Sequence, residues 1–446
     1  MDRRTLIKLT GAAAAVAPFA RFSPAWAQAL SPLSAAARDA WIYGLPLIEN
    51  ARTRKEVMDG GTAPNALLHM RGFTTPKNQF VTTPNNDTLY SRSWLNLSDG
   101  PVRVTLPKTG TRYLSVAFMD MYTNNFAVIG TRTTGGDGGT FTIVGPEQAT
   151  DDRLAIRSPT PWVWMLIRLL ADGEGDLPAA NRLLDGFRVE GPRAAAPKRT
   201  YATRDAPWDA YFSSVQALIV ENPPRATDDR LFDAVAPLGL GARGGFDARR
   251  FSPAQAREIE AGIAAAKVMM RSARRQGALV DGWIYPKANL GDFGQDYFYR
   301  AQVALGGLAA LPRVEAMYMR PLGPDGRIPF DSAQSWVLSL PANGMPPVDS
   351  FWSLTMYQAR PDGQFFFFDN PINRYAIGDR TPGLRRSADG GLDIWMTRTD
   401  PGPARRANWL PTPPSGDFGV VFRAYLPKAE LLDGQYHLPS LRPMRS

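Results

Sequence analysis

The sequence predicts a mainly β protein in which two antiparallel β domains, sandwich-like or barrel-like, are joined by helices. Apolar and polar residues alternate in short runs after Leu89, and such runs return after about residue 312. Glycine and proline are abundant, at 40 and 39 of 446 residues, which favours the many turns of antiparallel sheets. Between the two β regions the apolar period becomes helical, so a helical insert is expected.

The first predicted unit, residues 28–160, combines a helix over 33–59 with the first β domain. Turn clusters rich in Gly, Pro, Asp and Ser separate its short strands. The strand segments are TLYSRSWLNL, VRVTLP, RYLSVAFMD, FAVIG and FTIVG.

A helical connecting region is predicted over 161–311, and a second β domain over 312–446. The clearest helix is SPAQAREIEAGIAAAKVMMRSARRQG, with Ser252 as N-cap, Pro253 in the first turn and Gly277 as its stop. The strands expected in the second domain are VEAMYMR, SWVLSL, FWSLTMY, FFFF, LDIWMTR and FGVVFRAYL.

The N-terminal 27 residues predict an export signal. Arg3 and Arg4 precede an apolar, alanine-rich stretch that ends in the small-residue motif AWA at 25–27. This order is typical of a twin-arginine export signal with cleavage near Ala27. Because the apolar stretch is too short to span a bilayer, we expect a periplasmic protein without a transmembrane segment.

Composition excludes several kinds of site. The chain has no cysteine and two histidines, His69 and His437, which excludes thiolate metal sites, cysteine nucleophiles and a three-histidine zinc site. The segment GLGARG at 239–244 matches a dinucleotide-binding pattern but lacks the strand before it and the helix after it, so no cofactor is expected. The net charge of +9 is scattered along the chain, which argues against nucleic acid as a partner.

Polar side chains concentrate at four places beside predicted strands. Asn and Asp favour turns because their side chains bond to the local backbone. The alternative is that strand-end loops bring these groups around one shared pocket. The four clusters are Asn85-Asn86-Asp87 with Tyr90 and Arg92, then Asp120 to Asn125, Asn370 to Arg380, and Asn408 to Pro411.

If the clusters form a site, Asp87 and Asp120 are the candidate catalytic groups, since two carboxyl groups can divide acid and base roles. Arg374 or Arg380 would orient an anionic substrate through the planar guanidinium. The carboxylates would also suit Ca²⁺ or Mg²⁺, but no known ligand spacing is present and no metal is expected. The candidate substrate-binding residues are Asn85, Asn86, Tyr90, Arg92, Tyr122, Asn373, Arg374, Tyr375, Arg380 and Trp409.

Long stretches of the chain resemble a family of exported bacterial proteins in which domain of unknown function 1254 precedes domain of unknown function 1214. Resemblance to the first is carried by WIYGLPLIENARTRKEV, TPNNDTLYSRSWLNLSDGPV and FMDMYTNNFAVIGTRTTG. Resemblance to the second is carried by NGMPPVDSFWSLTMYQ, NPINRYAIGDRTPGL, GGLDIWMTR and NWLPTPPSGDFGVVFRAYLP. The resemblance implies two β domains linked by helices and assembly into a homo-oligomer. It does not indicate an activity.

The resemblance does not say which residues contact a ligand, so the function stays open. One hypothesis is a pocket of strand-end loops that binds a small, anionic molecule or acts on it by carboxylate acid/base chemistry. The alternative is a non-catalytic oligomeric scaffold or an envelope-interaction protein. A carbohydrate-processing enzyme would need two carboxyl groups about 5–5.5 or 6.5–9.5 Å apart. The residues that match the family motifs are Asn85, Asn86, Asp87, Tyr90, Asp120, Tyr122, Trp352, Asn373, Arg374, Tyr375, Asp379, Arg380, Asn408 and Trp409.

Overall fold

The chain folds into two β sandwiches joined by helices, as the alternation of apolar periods predicts. A computed structural model describes residues 30–79, 82–272, 277–323, 326, 330–361 and 363–444. The expected export signal lies outside these residues. The helices are α1 (Pro32–Asp59), α2 (Leu177–Leu184), α3 (Trp208–Glu221), α4 (Asp229–Val235), α5 (Pro253–Ser272), α6 (Tyr297–Gly306) and α7 (Ala429–Leu432).

The first β domain is a sandwich of two sheets. The larger sheet has the order β1-β2-β8-β4-β5 and the smaller has the order β7-β6-β3-β9. The fully buried side chains of Leu89, Val104, Ile143 and Val163 meet between them, and each contributes about 1.5–3 kcal/mol by leaving water. The strands are, in chain order, β1 (Leu68–His69), β2 (Thr88–Asn96), β3 (Val102–Leu106), β4 (Leu114–Asp120), β5 (Asn125–Gly130), β6 (Gly139–Val144), β7 (Ile156–Arg157), β8 (Trp162–Leu170) and β9 (Arg188–Glu190).

The second β domain is also a sandwich. Its larger sheet has the order β10-β11-β12-β20-β15-β16, with β13 paired to β20 and β17 paired to β15, and its smaller sheet has the order β19-β18-β14-β21. Buried methionine, leucine and phenylalanine side chains fill the space between the sheets. The strands are β10 (Ala278–Val280), β11 (Trp283–Tyr285), β12 (Ala316–Pro321), β13 (Phe330–Asp331), β14 (Trp336–Leu340), β15 (Val348–Ala359), β16 (Phe365–Phe366), β17 (Ala376–Gly378), β18 (Leu392–Thr397), β19 (Trp409–Pro411), β20 (Asp417–Pro427) and β21 (Arg442–Pro443).

The helices cover one part of the outer face of the larger first-domain sheet. Trp94 and Trp164 stack on that face with ring centroids 5.5 Å apart and belong to the same buried cluster as α1. At the other end of the sheet, Tyr113 packs edge-on against Phe351 and Tyr425 of the second domain. The space between these two contacts is where the candidate site lies.

The sheets extend beyond the domain boundaries expected from the sequence. β8 and β9 fall within 161–311 but pair with strands of the first domain, and β10 and β11 pair into the second. β8 gives no alternation because it lies between β2 and β4 and is buried along its whole length. Within the described residues, no helix has both the length and the apolar character needed to cross a bilayer.

Candidate functional site

A cavity of about 1170 Å³ lies between the two β domains. One wall comes from the outer face of the larger first-domain sheet, and the facing wall comes from the larger second-domain sheet. The segment 306–310, which follows α6, closes one side, and residues of α1 and of the loop around 203–205 lie at the rim. A cleft between domains is a common place for a small-molecule site.

Alternation along two paired strands builds the first wall. Trp164, Leu166 and Arg168 occupy every second position of β8, so their side chains share one face. β2 places Tyr90 opposite Arg168 and Arg92 opposite Leu166. All five side chains line the cavity, which gives this wall an apolar end and a polar end.

Alternate residues of two paired strands also form the second wall. Val421, Arg423 and Tyr425 share one face of β20 and line the cavity. β12 places Tyr318 opposite Arg423, and Arg320 lies two residues further along that strand. The two walls therefore present Arg92, Arg168, Arg320 and Arg423, together with several tyrosines, to the same space.

Three of these arginines, Arg168, Arg320 and Arg423, donate to neutral oxygens. Arg168 Nη2 donates to the Ala309 carbonyl (2.7 Å), and Arg320 Nη2 donates to the Gly306 carbonyl (2.8 Å). Arg423 donates through Nη1 to Thr355 Oγ1 (2.8 Å) and through Nη2 to the carbonyl of residue 83 (2.9 Å). Because none of these acceptors is charged, the positive charges at this end of the cavity are not neutralised by them.

Arg168 is the least satisfied of the three. Its side chain is buried, with 5% of the residue exposed, and within the described part of the chain its Nη1 has no hydrogen-bond partner. Its guanidinium lies 5.5 Å from the centre of the Tyr90 ring. The acceptor Ala309 adopts a left-handed backbone with φ of 64°, a conformation that costs a residue with a Cβ about 1–2 kcal/mol.

Asp87 lies behind the arginine cluster rather than in the cavity lining. Its Oδ2 accepts from Ser353 Oγ at 2.7 Å, across the domain interface. Burial raises the pKa of Asp87, and the charge of Arg423 and the Ser353 hydroxyl oppose that rise. Asn85 caps the turn by accepting from the Asp87 backbone N–H, and its Nδ2 donates to Tyr425 Oη at 2.5 Å. Asn85 therefore both ties the turn and lines the cavity.

Asp120 lies at the opposite end of the sheet. β8 pairs Asp120 with Val163, and it pairs Thr88, the neighbour of Asp87, with Leu170. Seven residues of strand at about 3.4 Å each separate those two points by about 24 Å. The structure thus does not bring Asp87 and Asp120 together, which corrects the expectation that they divide acid and base roles at one substrate, and the distance is too long for glycoside hydrolysis by this pair.

Asp120 is instead part of a compact polar network. Its carboxylate accepts from the Asn124 backbone N–H (2.9 Å) and from Arg225 Nη2 (3.2 Å). Burial raises its pKa, and Arg225 and Asn124 oppose that rise. Tyr122 donates to the Asn222 carbonyl (2.8 Å). A second cavity beside this network, lined in part by Tyr122 and Arg225, measures about 10 Å³, room for one water molecule at most.

The predicted residues of the second domain do not line the large cavity. Arg374 Nη1 donates to the carbonyls of Ala407 and Trp409, both at 2.9 Å. Tyr375 packs on Phe367 with ring centroids 4.8 Å apart. These side chains fasten loops to one another.

The other predicted residues of that domain also lie outside the cavity lining. Trp409 is buried, and its Nε1 donates to the Thr397 carbonyl at 2.9 Å. Asn373 takes a left-handed turn conformation with φ of 49°. Arg380 pairs with Asp172 of the first domain, its Nε lying 2.6 Å from Oδ1.

Of the predicted binding residues, Asn85, Tyr90 and Arg92 line the large cavity. Asn86 is half-buried in the same turn, and its Oδ1 has no hydrogen-bond partner among the described residues. Within the described part of the chain, no group of three His, Cys, Asp or Glu side chains could hold a metal ion. The four polar clusters therefore do not converge on one pocket.

Sequence reasoning missed the residues that give the cavity its charge. Arg168, Arg320 and Arg423 each interrupt an apolar strand, in WMLIRLL, AMYMRP and VVFRAYL. An arginine inside such a run is a detectable signal, because long charged residues are rarely buried without a partner. The pairing that brings the three together depends on strands far apart in the chain.

Comparison with known proteins identifies the family. Residues 64–191 match the model described as Protein of unknown function (DUF1254), and residues 315–429 match the model described as Protein of unknown function (DUF1214). The chain belongs to this tandem family. The two matched ranges contain the strands that form the facing walls of the cavity, so the cavity lies between the two family domains. No curated protein matches the chain.

Two solved structures are similar to this tandem protein. The VPA0106 protein from Vibrio parahaemolyticus is 23% identical, with 93% of this chain and 100% of that chain covered at a TM-score of 0.68. A putative uncharacterized protein from Burkholderia cenocepacia is 13% identical, with 93% and 94% covered at a TM-score of 0.45. The first likeness shows the fold alone.

Proposed function

We propose that this tandem-family protein is an exported, periplasmic protein that binds a small anionic molecule in the cavity between its two β domains. The observation that carries the proposal is the state of Arg168, a buried arginine that lines the cavity and whose Nη1 has no hydrogen-bond partner within the described residues. Arg320 and Arg423 line the same cavity from the facing wall.

The energetics favour an anion in this position. Removing a charged group from water costs several kcal/mol, and neutral hydrogen-bond acceptors offset only part of that cost. A carboxylate or phosphate offers the planar guanidinium two parallel acceptors and an opposite charge. Three such groups from both walls converge on one space, which is the arrangement expected of an anion-binding site.

The geometry supports binding more directly than catalysis. Asp87 is the candidate acid/base group beside the arginine cluster, because its charge acts on both Arg423 and Tyr425. Its Oδ2 accepts from Ser353, however, and it is absent from the cavity lining. A reaction that moves a proton through Asp87 would need a ligand in the cavity to reach a carboxyl group that does not line it.

The scaffold hypothesis draws its support from the second-domain clusters. Arg380 pairs with Asp172 across the domain interface, and Arg374 fastens neighbouring loops. These contacts hold the two domains and their loops together. The scaffold hypothesis, however, does not account for the arginine-lined cavity. Assembly into a homo-oligomer stays a prediction.

Native mass spectrometry of protein purified gently from the periplasm tests the proposal. We expect a small-molecule adduct on the wild type that is lost in Arg168→Met and Arg423→Met and retained in Arg374→Met. Arg374 is a matched control because it also donates to backbone carbonyls but lies outside the cavity lining. If neither the native spectrum nor titration with anions gives a complex, the scaffold hypothesis is favoured, and the same spectrum reports the oligomeric state.

A further inference from the structure

The charge at the inner end of the cavity points to more than a generic anion. Arg168, Arg320 and Arg423 bring three positive charges, and Asp87 is the carboxylate whose charge acts on Arg423. Burial raises the pKa of Tyr425 well above its usual value, so this phenol stays neutral and supplies no counter-charge. With Asp87 ionised, the three arginines and Asp87 together carry a net charge of +2. A doubly charged anion would balance this charge, and a singly charged anion would not.

The arginines at the rim differ in this respect. Arg52 and Arg204 donate to the two carboxylate oxygens of the same residue, Glu49, each at 3.1 Å. Their side chains are 42% and 39% exposed, so water screens them as well. The uncompensated charge is thus at the inner end, where Arg168 and Arg423 are 5% and 4% exposed.

An apolar surface continues from the inner end along the same wall. Leu166 and Trp164 follow Arg168 at steps of two residues on β8, so this surface runs about 13 Å away from the arginine. Ile48 from α1 and Met70 line the cavity as well. Such a surface would bury an alkyl or aromatic body, although Arg92 lies opposite Leu166 on β2.

We infer that the ligand is an amphipathic dianion. Its head group, a phosphomonoester or a pair of carboxylates, binds Arg168, Arg320 and Arg423, and its apolar body lies along Leu166 and Trp164. This inference rests on the proposed function, which by itself requires only an anion in the cavity.

Calorimetric titration of the purified mature chain at pH 8 distinguishes binding of any anion from binding of an amphipathic dianion. The probes are octyl phosphate, decyl phosphate, octyl sulfate, 2-octylsuccinate and inorganic phosphate. A phosphomonoester is doubly charged at this pH because its second pKa is about 6, whereas the sulfate ester carries one charge. We expect octyl phosphate or 2-octylsuccinate to bind at least tenfold more tightly than octyl sulfate, and the stronger of the two identifies the head group.

The apolar body predicts a dependence on chain length. Each buried methylene contributes a factor of about three to four in affinity, so decyl phosphate should bind about tenfold more tightly than octyl phosphate. Inorganic phosphate should bind at least a hundredfold more weakly. Leu166→Gln should reduce the gain from the two extra methylenes, and it should leave the preference for phosphate over sulfate unchanged.

The arginine variants test the head group. Arg423→Met and, as an independent second variant, Arg320→Met should each bring the affinities for octyl phosphate and octyl sulfate closer together. Arg374→Met should keep the wild-type values. Circular dichroism of every variant confirms that it is folded before it is titrated.

The outcomes are distinguishable. If octyl phosphate and octyl sulfate bind equally and both are weakened in Arg423→Met, the cavity binds anions but the doubly charged head group is refuted. If inorganic phosphate binds as tightly as the alkyl phosphates, the apolar body is refuted. If no probe binds, the proposed function fails together with this inference.

Discussion

Replacing Arg168 by methionine should affect the stability of the ligand-free and the ligand-bound protein differently. The change removes a charge-assisted hydrogen bond to the Ala309 carbonyl, about 1.5–3 kcal/mol. It also removes the contact with the Tyr90 ring, about 0.5–2 kcal/mol. Against these losses stands the cost of keeping a guanidinium buried without a counter-ion, which is several kcal/mol.

The sum predicts that the ligand-free variant is between unchanged and about 2 kcal/mol more stable than the wild type, because methionine fills much of the same space without a charge. Ligand shifts this difference in stability by about 2 kcal/mol in favour of the wild type. At a concentration of a hundred times the dissociation constant, the wild type gains about 2.7 kcal/mol. Losing one arginine contact of about 2 kcal/mol weakens binding about thirtyfold and leaves the variant a gain of about 1 kcal/mol.

Urea unfolding followed by tryptophan fluorescence measures both effects, with and without the tightest of the anionic probes. Arg374→Met is the matched control: it should lose stability equally in the two conditions and keep the full gain from the ligand. If Arg168→Met instead loses several kcal/mol without ligand and still binds as well as the wild type, Arg168 is a structural group and the reasoning fails.

Three further predictions concern other parts of the chain. Burial raises the pKa of Asp379 to about 6, so the folded protein keeps a proton that the unfolded chain releases near pH 4, and stability should fall as pH rises from about 4 to 6. Asp379→Asn should flatten that part of the urea-unfolding profile and stabilise the protein at pH 8. The gain should be only about 1 kcal/mol, because the side chain is close to other protein atoms but still has enough exposed surface for water to screen its charge. Asp120→Asn should leave ligand affinity in calorimetry unchanged, because Asp120 lies about 24 Å along the sheet from Asp87. Replacing both Arg3 and Arg4 by lysine should leave the protein in the cytoplasmic fraction, as immunoblots of cell fractions would show.

Each of these has a control and a contrary result. Asp151→Asn, at an exposed position, should leave the pH profile unchanged, and a profile that stays steep in Asp379→Asn would show that another group titrates there. A loss of affinity in Asp120→Asn with the fold intact would place Asp120 in the site after all. Normal export of the lysine variant would remove the twin-arginine part of the signal hypothesis.

Local patterns predicted much of the fold. The helix expected over 33–59 is α1, and the Ser252, Pro253 and Gly277 signals bracket α5. These succeed because capping and apolar periodicity depend on neighbours in the chain. β8 lies in the region expected to be helical, because a strand buried on both faces shows no alternation of apolar and polar residues.

The site was less predictable because its charge is assembled over long range. Asn85, Tyr90 and Arg92 were expected in a pocket and line the cavity. Arg168 and Arg423 line one cavity only because two sheets from different domains are placed against each other, and no residue spacing in the sequence indicates that placement. Asp87 and Asp120 look alike at the level of sequence, each near one end of a strand, yet the strand register sends them to opposite ends of β8.

The three arginines are divided between the two domains, and this division affects whether either domain could be lost during evolution. Arg168 is contributed by the DUF1254 part, and Arg320 and Arg423 are contributed by the DUF1214 part. A gene that lost either half would encode one sandwich with its interdomain face exposed to water and with an incomplete set of arginines. Selection for ligand binding would then act on both domains at once. This gives a physical reason for both domains to be encoded by one gene.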